Sequence, residues 1–250
     1  MGHLCHPCQA NDGLSGVATG VYLMKELLKC KTLKFSYLFL IVPEIFGSIG
    51  YLWKRQTLLP KLKHGIFMEM VGSKEPLSLK HSYHGYAYID AVSRNVFHHN
   101  MSSEFREGGF LELACNDDLV LADPDFNVPM ISLQRFPYPE YHTSLDNMSI
   151  IFPDQLEESY HTILHILDVL ETDYIPQKKF VGPLYMSRYG LYVDNRKFKE
   201  MNKKLWHVMQ NIGVGKSVLE ISNELKMNYF DLYTYLSKWV SHDLLGKTDV

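Results

Sequence analysis

Short β-type runs alternate with helical periods through the first part of this chain, and that alternation restricts its fold more than any other feature. "KFSYLFLIV" (34–42), "HGIFMEMVG" (64–72) and "VPMISL" (128–133) are brief and nearly all apolar, as expected of strands covered on both faces of a sheet. Between them, "GLSGVATGVYLMKELLK" (13–29) sets Val17, Val21, Leu23, Met24, Leu27 and Leu28 at helical spacing, with lysines toward its end to suit the helix dipole. Segments 46–55 and 88–100 read as further helices. The expectation is an α/β sandwich around a largely parallel sheet. From about Asp194 the pattern changes. "NRKFKEMNKKLWHVMQNIG", "SVLEISNEL" and "YFDLYTYLSKWVSHDLL" predict three helices with a short final turn, a helix-turn-helix of winged type.

Composition narrows the class. A net charge of -3 over 250 residues suits neither a general nucleic-acid binder nor a membrane-surface protein. The longest apolar run, Tyr37 to Val42, stops at Pro43-Glu44, far short of a bilayer span. The first fourteen residues are polar and motif-bearing rather than a leader. Four cysteines, three of them among the first thirty residues, make no extracellular disulfide framework. The expected location is cytoplasmic.

Ligands of an open α/β sheet gather beyond the carboxyl ends of its strands. The residues falling there are His3, His6 and Asp12, then Glu44, Glu69, Asp117 and Asp118, and His142. Carboxylates and histidines in this number are what a hydrolytic zinc site requires: neutral imidazole and carboxylate bind the ion, and a spare carboxylate takes a proton.

In order along the chain, "GHLCHP", "ND" and "LSG", "PEIFGSIGYL", "MEMVG", "NDDLVLADPDFNVPMISL" and "YHTSLDN" resemble the zinc-exopeptidase fold of bacterial leucyl aminopeptidases. More closely, they are similar to aminopeptidase-like proteins found with polysaccharide-biosynthesis genes, which also end in a winged helix. The resemblance implies an aminopeptidase-like zinc hydrolase domain over 1–193, a three-layer sandwich truncated at its start, and a winged helix-turn-helix domain over 194–250. By the same resemblance His3, Asp12, Glu69 and His142 are metal ligands, with His6 as the alternative to His3. Cys5 replaces an aspartate of the family pattern. Glu44 falls on the general base, and Asp117 lies where the family organises its substrate amine, with Asp118, Arg135 and Tyr141 beside the substrate. Ile45 stands where two-metal members carry a second glutamate, which implies one zinc ion rather than two.

Other roles stay open for the same residues. Asp12 suits the N-cap of the next helix, and Glu44 suits an acidic helix start. Asp117 and Asp118 suit a turn, and His142 suits a turn cap with Ser144 and Asp146. Arg135 would receive a substrate carboxylate or pair with Glu140. Cys5 and Cys8 form a C-x-x-C, read as buried small thiols beside the site before a redox pair. A carboxylate inside "IFMEMV" is costly to bury without a partner or a metal, so Glu69 is the most telling position. Basic residues (Arg196, Lys197, Lys199, Lys203, Lys204) gather on the first of the three late helices, while the helix that would enter a groove is aromatic. Nucleic-acid binding is therefore not expected. The expected partners are a small-molecule or peptide substrate, no membrane, and another copy of the chain through the winged helix. The alternative to a hydrolase is a binding or regulatory protein that keeps the fold without catalysis.

Overall fold

The computed structural model describes every residue except Asn195 and Lys197, so the sequence expectation for Lys197 lies outside the described residues. Two compact units divide the chain: 1–97 with 101–167, and 98–100 with 168–250.

The first unit is built on a mixed, mostly parallel sheet. Strand β1 (Gly2–His3) pairs in parallel with β2 (Ile41–Val42). Strand β3 (Gly65–Met68) pairs in parallel with β6 (Met130–Gln134), which runs antiparallel to β4 (Leu77–Lys80), itself parallel to β5 (Phe105–Gly108). Met1 joins the two sets, its nitrogen donating to Ile66 O at 2.7 Å and its oxygen accepting from Met68 N at 2.9 Å. Every residue of β4 and of β6 is buried, so both sheet faces are covered, as in α/β proteins. On one face, helices α2 (Phe46–Lys54) and α4 (Asp118–Ala122) bring Leu52, Val120 and Leu121 onto Phe67 and Met130. Helix α1 (Gly16–Leu27) lies against β1 and β3. Helices α3 (Tyr88–Asn100) and α5 (Pro153–Thr172) complete the unit, each running at its end into the second.

One expected strand is largely missing. Of 34–42, only Ile41 and Val42 form ladder pairs, and Leu38 and Ile41 are exposed. Its partner β1 is two residues long, and an apolar run becomes a doubly buried strand only where neighbours exist on both sides.

The second unit holds α6 (Lys199–Asn211), α7 (Val218–Glu224) and α8 (Tyr229–Ser241), where three late helices are expected. Ser217 caps α7 reciprocally with Glu220, and the side chain of Asn228 caps α8. Strand β7 (Tyr174–Lys178) pairs antiparallel with β8 (Leu245–Asp249). Val208, Leu219, Leu232, Leu236 and Trp239 form its interior. Among the described residues, no helix is long and apolar enough to cross a membrane.

Candidate metal centre

The site forms where β1, β2, β3 and β6 end. His3 closes β1, Glu44 follows β2, Glu69 follows β3 directly, and His142 lies in the loop after β6. Asp12 belongs to a kinked helical lead-in, Ala10–Ser15, and leaves helical geometry at φ -74° and ψ 106°. It is not the N-cap of α1, a position Ser15 occupies.

This lead-in is sewn to the strand ends. Asp146, fully buried, accepts from the backbone N–H groups of Ala10 (3.0 Å), Asn11 (2.7 Å) and Asp12 (3.1 Å), and from Tyr138 Oη at 2.6 Å. The "ND" and "YHTSLDN" segments are thereby fixed to one another. Asn11 Oδ1 accepts from Gly72 N at 2.9 Å, and Ser15 Oγ accepts from Val71 N at 2.9 Å. Gly13 makes the kink at φ 87°, a conformation that favours glycine. A Cβ on Gly16 would lie 2.1 Å from Met68 O, so α1 meets β3 at contact distance only through glycine.

Around Asp12 the donors converge. His3 Nε2 is 3.1 Å from Asp12 Oδ1 and 3.8 Å from Glu69 Oε2. His142 Nε2 faces Asp12 Oδ2 at 3.2 Å, and His6 Nδ1 faces Asp12 Oδ1 at 3.8 Å. His3, Asp12 and Glu69 are buried, while His6 is half-buried and His142 exposed. Glu44, half-buried, reaches the group through His6, whose Nε2 is 3.7 Å from its Oε2. The next residue, Ile45, has φ 59°, a strained state for a β-branched side chain. Its N–H donates to Asp117 Oδ1 at 2.9 Å, which holds the turn that carries Glu44. Tyr141 stacks on His142 with ring centroids 3.8 Å apart. Burial, then the charges of Asp12, Glu69 and Glu44, push the Tyr141 hydroxyl up to about 12.

The electrostatics are those of a place built for a cation. Burial disfavours a charged His3, but the carboxylates of Asp117 and Asp12, with Glu69 behind them, overrule it and raise its pKa to about 10. Burial lifts Glu69 to about 8 against the pull of His3. Asp12 Oδ2 and Asp117 Oδ2 are buried and lack a donor in hydrogen-bonding geometry. Buried carboxylate oxygens of this kind are costly unless paired or bound to a metal. His3, His6 and Asp12 each bring one ligand atom within 4.8 Å of the other two. The residues present therefore fit a metal ion.

Three side chains expected beside the substrate face inward instead. Asp117 is buried behind His3, 3.6 Å from its Nδ1, and also accepts from Ser48 Oγ. Asp118 is buried against Lys80 Nζ at 2.5 Å and accepts from Asn116 N at 2.7 Å. Arg135 is 1% exposed and spends its guanidinium on Val71 O, Glu75 O, Gln155 O and the Glu158 carboxylate. A guanidinium so enclosed receives no substrate, and it pairs with Glu158 rather than Glu140. Two contributors escape sequence reasoning: Asp146, and Asn116, whose Nδ2 donates to Glu69 Oε2 at 3.0 Å. The acid in "YHTSLDN" hinted at the first. Cys5 and Cys8 are free thiols but exposed rather than buried as expected, because the polar loop between β1 and the lead-in carries them at the surface.

Sheet and helices give the chain the α/β fold that aminopeptidases and glutaminyl cyclases share. A glutaminyl cyclase of Porphyromonas gingivalis superposes at TM-score 0.52 with 24% identity, over 64% of this chain and 66% of that one. A zinc aminopeptidase of Bacillus subtilis does so at 0.51 with 16% identity, over 67% and 44%. These two likenesses concern the fold alone. More particularly, the chain belongs to the family described as "Domain of unknown function (DUF4910)", which matches residues 1–173. A Clostridium acetobutylicum protein, provisionally named a polysaccharide biosynthesis protein with aminopeptidase-like domain, is 35% identical over 173 residues, 68% of this chain and 39% of the relative. The structure of a provisionally assigned peptidase from the same organism superposes at TM-score 0.85 with 28% identity, over 98% of this chain and 56% of that one. The chain thus spans about half or less of the length of the Clostridium proteins it matches.

Proposed function

We propose that the first unit is a zinc-dependent hydrolase of aminopeptidase type, using one ion. The observation that carries this reading is the meeting of His3 and His142 on the two oxygens of Asp12, with Glu69 3.8 Å from the same His3 nitrogen, at successive strand ends. His3, Asp12 and Glu69 would hold the ion, with His142 at the more exposed side and His6 as the alternative imidazole. Three protein ligands and an open position are the catalytic pattern for zinc. When bound, zinc polarises a carbonyl and brings the pKa of water to about 7.

The remaining work falls to the chain. Glu44, half-buried and within reach of His6, takes the proton from water and returns it to the leaving amine; a placed base of this kind contributes roughly 10²–10⁴ in rate. Asp117 holds the His3 ring from its Nδ1 side, as outer carboxylates do for ligating imidazoles. The stacked pair of Tyr141 and His142 forms a wall for substrate. The substrate class is an amide: an amino-terminal peptide bond, or an acylamino group on a small molecule or sugar, in keeping with the name of the Clostridium relative. The late helices with β8 serve as a winged helix that joins copies of the chain rather than binding DNA.

Metal content of purified protein, wild type beside Asp12→Ala, tests this directly. The expected result is about one zinc per chain in the wild type and loss in the variant. A folded wild type that takes up no zinc removes the reading.

A further inference from the structure

Three donors meet just outside the buried cluster. One ligand atom each from Cys5, His6 and Glu44 lies within 4.8 Å of the other two. Cys5 Sγ is 3.7 Å from His6 Nδ1, and His6 Nε2 is 3.7 Å from Glu44 Oε2. The backbone N–H of Glu44 donates to Cys5 Sγ at 3.3 Å. The Cys5 thiol is free and exposed, and the other two side chains are half-buried, so an ion reaches all three from solvent.

Tetrahedral zinc, with donors at about 2.0–2.3 Å, sets those donors roughly 3.3–3.7 Å apart. Cys5 and Glu44 approach opposite nitrogens of His6, so to match this spacing the side chains must turn until one imidazole nitrogen serves both, from a starting separation within 4.8 Å. One sulfur, one imidazole and one carboxylate suit a borderline-soft divalent cation and not magnesium or calcium. Two features already orient the ligands. The Glu44 N–H, 3.3 Å from Cys5 Sγ, fixes the sulfur beside the turn that carries Glu44. With His6 Nε2 turned to Glu44, its Nδ1 faces Asp12 Oδ1 at 3.8 Å, the arrangement by which a carboxylate orients a ligating imidazole.

We propose that Cys5, His6 and Glu44 form a second, solvent-facing site for a zinc-like cation, which shares no ligand with the set of His3, Asp12 and Glu69 and claims His6, the imidazole that also lies within 4.8 Å of His3 and Asp12. Binding exchanges the thiol proton of Cys5 for the cation and releases that proton to solvent; water fills the fourth position. A consequence follows that rests on the proposed hydrolase function: Glu44 cannot ligate an ion and serve as base together. Excess metal therefore silences the site while the first ion stays in place.

Cobalt(II) titration of the metal-free, full-length chain tests the site without reference to activity. A thiolate ligand shows itself as near-ultraviolet charge-transfer absorption, which the inner set, having no sulfur, lacks. The wild type should bind one equivalent first and, only with cobalt in excess, a second that develops that absorption, so protein purified without added metal carries the first ion alone. Cys5→Ser should keep one equivalent and lose the band, with a circular dichroism spectrum unchanged. Glu44→Gln should keep the band but require at least tenfold more cobalt. Asp12→Ala should lose the other equivalent. No band in the wild type, or two equivalents retained by Cys5→Ser, overturns the second site. If Asp12→Ala loses an equivalent while no band forms, the inference fails and the hydrolase reading stands. If the band forms and Asp12→Ala loses nothing, the second site stands and that reading falls.

Discussion

Asp117 Oδ2 lies 3.6 Å from His3 Nδ1, on the ring edge away from Asp12 and Glu69. Its other oxygen is committed to Ser48 Oγ and Ile45 N–H. Asparagine at 117 retains an acceptor for those two donors and removes the charge that fixes the imidazole. Asp117→Asn should therefore fold as the wild type does and bind zinc about 10–100-fold more weakly, the usual cost of losing an outer-shell partner. Competition against a zinc chelator measures this, with thermal melting of the metal-free protein as control. Unchanged affinity would mean that Asp117 serves the turn at Ile45 and not the histidine. Asp118 carries a different lesson. Its neighbour in sequence faces His3, whereas Asp118 turns to Lys80 in the interior. Adjacent acids in "NDD" look equivalent as text, and only the reach of Lys80 from β4 to Asp118 tells them apart.

Helix α1 reaches the sheet through a stretch with almost no side-chain bulk. A Cβ on Gly16 would meet Met68 O at 2.1 Å and Glu69 Cα at 3.1 Å. Both are backbone atoms of the strand that presents Glu69, so relief requires moving that strand. Gly16→Ala should destabilise the protein by about 1–3 kcal/mol, the range for overpacking, and weaken metal uptake by shifting Glu69. Urea unfolding of the metal-free variant and its zinc content check the two effects; a wild-type midpoint would disprove the close approach. The elements that sequence reveals are those with a helical pattern or a continuous apolar run. Helices α1, α2 and α3 and the three late helices show the first, and strands β3 and β6 the second. Strand β4, "LSLK", and strand β5, "FREG", show neither: each is four residues long, and Lys80 is buried only because Asp118 and Ala114 O await it. Residues 34–42 show the reverse failure, since their apolar run says nothing about how few residues of β1 are there to pair with them. The strand-end donors are legible because alternation alone locates strand ends. The inward turn of Arg135 is not, because its partners lie at 71, 75, 155 and 158.

Charge across the whole molecule bears on what the second unit can do. The chain carries a net charge of -3, and several cations near α6 already have partners. Lys203 Nζ lies 3.2 Å from Glu200, Lys204 Nζ donates to Lys226 O at 2.8 Å, and Arg196 Nε is 3.5 Å from Asp194. Helix α8 offers one lysine, Lys238, against one aspartate, Asp231, and buries Leu232, Leu236 and Trp239 in its own unit. Affinity for a duplex depends on neutralised phosphates, each adding about -0.9 to the slope of log K against log salt. A chain with these cations spoken for should bind random-sequence duplex no better than an acidic control protein, with a slope near zero across about 50–200 mM salt. Fluorescence anisotropy of a labelled duplex measures the slope. A slope of several units would show that the paired lysines release their partners to phosphate, and would assign the second unit to DNA after all.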